Sequence, residues 1–100
     1  MKKESDVKKA VKQIFNDAGV WWYMPPGGMY GRIGVPDFIA CVNGKFLAVE
    51  TKFGRNAASV RQEQEINAIN AAGGVATVIN EDGLEMLKEV VRCLQSTIDG

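Results

Sequence analysis

One hundred residues, 46% hydrophobic and 24% charged, with twelve basic and twelve acidic side chains, make one domain (1–100) with a single core and no second lobe. No apolar run approaches the roughly 18 residues of a membrane span and no basic-then-apolar leader opens the chain, so a cytoplasmic protein with no membrane partner is expected. Histidine is absent, which excludes Ser-His-Asp and Cys-His triads, His-ligated zinc and imidazole acid–base catalysis; any hydrolysis must use carboxylates, lysine and a metal.

From Glu4 to about Ala18, Val7, Val11, Ile14 and Phe15 recur at helical spacing, and Gly19 ends the stripe. Val20-Trp21-Trp22-Tyr23-Met24 is aromatic and β-rich, a first strand in which the two tryptophans cannot both face inward; one belongs to the core and the other to a covered or interface position. Pro25-Pro26-Gly27-Gly28 stops it, and a glycine-punctuated loop follows through Tyr30 and Arg32 to Gly34. Val35–Val42 and Lys45–Lys52 then read as two strands joined by Asn43-Gly44, the strongest short signal for a type I′ hairpin. A helix over about Ser59 to Ala72, closed by Gly73-Gly74, precedes a fourth strand at Val75–Ile79. Asn80-Glu81-Asp82-Gly83 turns into a last helix with Leu84, Leu87, Val90, Val91, Leu94 and Ile98 on its apolar side. The order is α-β-β-β-α-β-α. It predicts an α/β fold with a mixed central sheet, antiparallel first and extended through a helical crossover, with helices covering both faces.

The hairpin register carries the chemistry. With Asn43 and Gly44 as the loop, Val42 pairs with Lys45, and counting outward places Asp37 opposite Glu50, with Lys52 two residues on and on the same face. Directly opposed Cβ atoms lie roughly 4.5–5.5 Å apart, where like charges destabilise a sheet. Glu50 also ends the unbroken apolar run Phe46-Leu47-Ala48-Val49, and a carboxylate there is costly unless paired or metal-bound. A divalent cation answers both problems.

Residues 1–61 hold ten Lys/Arg against five acids, and the remainder two against seven. That imbalance fits a basic face toward a polyanion, although exposed helices carry similar ones for solubility alone. Cys41 and Cys93 are unclustered and read as buried small apolar residues, not as a disulfide or zinc site.

Pro36-Asp37, twelve intervening residues and then Glu50-Thr51-Lys52, in this element order, resembles the PD-(D/E)XK nucleases. The finer resemblance is to their VRR-NUC (virus-type replication-repair nuclease) branch, through Gly34-Val35-Pro36-Asp37 after a loop with Arg32, Val49-Glu50-Thr51-Lys52, and Ser59-Val60-Arg61-Gln62 leading to Gly73-Gly74. It covers nearly the whole chain and is of the stand-alone type carried by phages and prophages, which would place the protein in a host cytoplasm. The resemblance implies a restriction-endonuclease-like αβββαβ core with an added C-terminal helix. It implies that Asp37, Glu50 and the Thr51 carbonyl bind Mg²⁺ or Mn²⁺, with no organic cofactor, and that Lys52 is the catalytic lysine. Gln62 matches the family's helix glutamine, but Ser59-x-x-Gln62 is equally a capping box. Glu4 matches an acid in the first helix of related resolvases, and is equally a first-turn acid stabilised by the helix dipole. Tyr30, Arg32, Arg55 and Arg61 are candidate phosphate contacts. The implied activity is metal-dependent cleavage of branched DNA, foremost a Holliday junction, by a homodimer, leaving 5′-phosphate and 3′-hydroxyl ends. Flap, nicked or duplex DNA as substrate, or a non-catalytic DNA-binding module, are the alternatives.

Overall fold

The computed structural model describes residues 1–27 and 31–96; Tyr30 and Ile98 lie outside the described residues. The elements are α1 (Glu4–Asp17), β1 (Trp21–Tyr23), β2 (Phe38–Val42), β3 (Lys45–Thr51), α2 (Val60–Ala71), β4 (Val75–Ile79) and α3 (Leu84–Ser96), in the order expected. The strands form one mixed sheet, β1-β2-β3-β4, antiparallel except for the parallel β3–β4 pair that α2 joins. Asn43 and Gly44 both have positive φ, 53° and 79°, as a type I′ turn requires. The register follows from that turn: Val42 pairs with Lys45 and Phe38 with Val49.

β2 begins later than expected, at Phe38. Pro36 has no N–H to give a ladder, and Asp37 spends its carboxylate on β3 instead of extending the pairing.

The core lies between the sheet and the α1/α3 pair. Val7, Val11, Ile14 and Phe15 of α1 meet Phe38, Ala40 and Val42 of β2, Leu47 and Val49 of β3, and Leu87 and Val91 of α3. Phe15, Trp22 and Phe38 pack with ring centroids 5.7–6.4 Å apart. Trp22 is thus the inward tryptophan, its Nε1 donating to Asn16 Oδ1 at 2.9 Å.

The alternate β3 residues Phe46, Ala48 and Glu50 face α2, and Phe46 lines a shallow apolar groove with Ile69, Ala72 and Gly74. Asn70 of α2 satisfies the edge strand β4, donating to the Ala76 carbonyl and accepting the Ala76 N–H. Helices lie on both faces, as expected, but they cover them unevenly. α2 reaches over β3 and β4 only, so Trp21 is 61% and Tyr23 46% exposed on β1, and Phe46 near the hairpin end of β3 is 44% exposed. Both cysteines are exposed, contrary to expectation. Cys41 pairs with Trp21 and Phe46 on that uncovered face, and Cys93 falls on the outward side of α3.

Candidate active site

β3 ends in Glu50 and Thr51, both buried, and the candidate site is built around that end. The Asp37 carboxylate does not simply stand beside Glu50. Its Oδ2 accepts the Thr51 N–H at 3.0 Å and the Thr51 hydroxyl at 2.5 Å. The acid therefore takes the acceptor place that the Pro36 carbonyl would hold if the ladder ran on past Phe38. Lys52 donates its own N–H to the Ile79 carbonyl of β4, so the N–H and C=O of Thr51 face the β2 side. Continuing the register puts Pro36 opposite that carbonyl, with no N–H to offer it.

Glu50 is 2% exposed. Its Oε2 accepts Gln62 Nε2 at 2.9 Å and lies 3.7 Å from Lys52 Nζ. Its Oε1 is buried with no hydrogen-bond partner. Burial, and then the negative charge of Asp37, push the Glu50 carboxyl from 4.5 up to about 7, while Lys52 and the Asp37 N–H pull it down. A buried carboxylate whose charge Asp37 disfavours, and which has an orphaned oxygen, fits a cation. Among the described residues no three His, Cys, Asp or Glu side chains cluster as a metal site. An ion here would rest on Asp37, Glu50 and the Thr51 carbonyl and keep waters, a donor set that suits Mg²⁺ or Mn²⁺.

Gln62 both caps α2 and reaches Glu50. Its Oε1 accepts the Ser59 N–H at 2.8 Å and its N–H bonds Ser59 Oγ at 3.1 Å, completing the capping box, while Nε2 turns to Glu50. Glu4 meets the site through Lys8, four residues on: Lys8 Nζ is 2.6 Å from Glu4 and 3.4 Å from Asp37 Oδ2. Burial alone would lower the Lys8 ammonium, but its hydrogen bond to Glu4 and the Asp37 charge leave it raised. Lys8 and the Thr51 hydroxyl are the participants that sequence reasoning missed. Lys8 could have been found from its i,i+4 spacing to Glu4.

Of the candidate phosphate contacts, Arg32 is held in a two-pronged ion pair with Glu65 of α2, Nε to Oε2 at 2.7 Å and Nη2 to Oε1 at 2.9 Å. Arg55 and Arg61 are exposed. A cavity of about 310 Å³ opens beside Asp37, walled by Pro25, Pro26, Ile33, Val35 and Pro36 and also lined by Arg32.

The fold is that of an α/β domain with a four-stranded mixed sheet, and no described helix is long and apolar enough to cross a membrane. The chain matches no protein-family model and no curated protein.

Proposed function

We propose that this chain is a metal-dependent, structure-specific DNA endonuclease of the PD-(D/E)XK type, resembling its VRR-NUC branch, with a restriction-endonuclease-like core. The observation that carries the reading is the Glu50 carboxylate, close enough to Asp37 to feel its charge, whose buried Oε1 lacks any partner, with Lys52 Nζ 3.7 Å from the other Glu50 oxygen. Bound Mg²⁺ or Mn²⁺ would supply a water of lowered pKa and polarise the scissile phosphate.

The remaining roles belong to the chain. Thr51 holds Asp37 from two sides, and Gln62 holds Glu50 through the cap of α2. Lys52, its side chain 16% exposed, is placed to orient a water and offset charge as it develops on phosphate. In-line attack on phosphorus leaves a 5′-phosphate and a 3′-hydroxyl. The cavity beside Asp37, lined by Arg32 and Asp37 as well as by Ile33, Val35 and prolines, suits a nucleotide adjoining the cut.

The preferred substrate in this reading is a four-way junction. Cutting two symmetric strands needs two sites, so the working form is a C2 homodimer in the cytoplasm, and the uncovered β1–β2 face is apolar surface available to a second copy.

The test is one gel. The purified protein is incubated with labelled junction, flap, nicked and plain duplex DNA, with Mg²⁺ and then with EDTA. Junction cleavage that EDTA abolishes is expected. Binding to these DNAs without cleavage in Mg²⁺ or Mn²⁺ would replace the enzyme by a DNA-binding module of the same fold.

A further inference from the structure

Lys8 stands between two carboxylates on the sheet face covered by α1. Its Nζ is 2.6 Å from Glu4 Oε2 and 3.4 Å from Asp37 Oδ2, and its side chain is 25% exposed. We propose that Lys8 is a built-in counter-cation of the Asp37–Glu50 site that holds down its affinity for divalent cations. This inference rests on the metal-binding reading of that site.

The distances decide against an orienting role. Asp37 Oδ2 is already fixed by the Thr51 N–H at 3.0 Å and the Thr51 hydroxyl at 2.5 Å. An ammonium at 3.4 Å lies beyond good hydrogen-bond length and adds charge more than direction. Glu4 keeps that charge in place through a short, charge-assisted bond one helical turn away. Without a metal, Lys8 offsets the repulsion between Asp37 and Glu50. With a dication present, its charge opposes binding at close range.

Removing the ammonium therefore acts twice in one direction. It deletes a like charge beside the cation, and it releases the Glu4 carboxylate, which then adds negative charge to the site. Lys52 differs, because it follows β3 directly and stands by Glu50.

The experiment measures Mn²⁺ binding by titration calorimetry and the rise in unfolding temperature with Mn²⁺, without DNA, for the wild type, Lys8→Met, Lys8→Gln and Lys8→Arg. Lys8→Met and Lys8→Gln should bind Mn²⁺ about tenfold more tightly, within the range over which neighbours of ligands tune a site, and gain more thermal stabilisation from it. Lys8→Arg should bind as the wild type does. If Lys8→Met does not fold, Lys8→Gln decides. Wild-type Mn²⁺ binding with unchanged or weaker binding by the neutral variants overturns the counter-cation role alone. A wild type that binds no Mn²⁺ overturns the metal site and this role together.

Discussion

Gln62 donates its side-chain amide to Glu50 Oε2 at 2.9 Å while the oxygen of the same amide accepts the Ser59 N–H at 2.8 Å. One side chain thus starts α2 and fixes the orientation of a buried carboxylate on β3. Gln62→Glu keeps an acceptor for Ser59 but sets a second negative charge against Glu50. Helix content should be retained by circular dichroism while single-turnover cleavage falls at least about tenfold, the range of a lost positioning contact. Gln62→Ala should instead cost about 1 kcal/mol of stability through the lost cap.

Asp37→Ala, Glu50→Ala and Lys52→Ala should each abolish cleavage of a junction. The two acid variants should still bind it, or bind it better, because each removes negative charge near phosphate. They should separate in stability: Asp37→Ala strands the Thr51 N–H and hydroxyl at a cost of roughly 1–3 kcal/mol. Full activity from Glu50→Ala would end the assignment.

Burial and the Asp37 charge raise the Glu50 carboxyl from 4.5 to about 7, and this has a direct consequence for folding. Between those values the folded, metal-free chain holds a proton that the unfolded chain has released. Its stability should therefore fall as pH rises through that window and level off above it, by at most about 3 kcal/mol. Glu50→Gln should lack this decline and be the more stable protein at about pH 8. Urea unfolding in EDTA near pH 5 and pH 8 measures both, and parallel behaviour of the two proteins would refute the shift.

Gly34 has φ +83°, and a Cβ there would lie 2.7 Å from the Arg61 carbonyl oxygen in the first turn of α2. Backbone meets backbone, so nothing cheap can move. Gly34→Ala should destabilise the domain by more than about 1 kcal/mol and push the Arg32–Asp37 segment off the helix. A denaturation midpoint equal to wild type would show that the loop does not sit this close.

The exposed ring pair of Trp21 and Tyr23, centroids 5.8 Å apart, shares a face with Cys41 and Phe46. If a second copy covers that face, Trp21→Glu combined with Phe46→Glu should convert a dimer to a monomer by light scattering, with the fold intact. A wild type that is already monomeric at micromolar concentration, or a variant that stays dimeric, would move the interface elsewhere.

Periodicity and turn chemistry were enough for most of the architecture. The α1 stripe, the Asn43-Gly44 turn and the Gly73-Gly74 stop are local signals, and each element they bound is present, with only β2 starting late, at Phe38. The same register brought Asp37 next to Glu50, since a two-residue turn leaves no freedom in which residues face each other. What local pattern could not carry was anything decided between elements. That Asp37 turns to Thr51 depends on the ladder ending at Phe38, which leaves the Thr51 N–H open to a side-chain acceptor. That Lys8 joins the site depends on where α1 crosses the sheet. That Cys41 is exposed depends on α2 being too far along the sheet to cover β1 and β2. The sequence by itself determined the elements, their pairing and the two acids, because turns, caps and alternation act within a few residues. Only the tertiary structure decided that Lys8, Gln62 and the Thr51 hydroxyl answer those acids, because which side chains meet there depends on how α1, α2 and the end of β3 pack together.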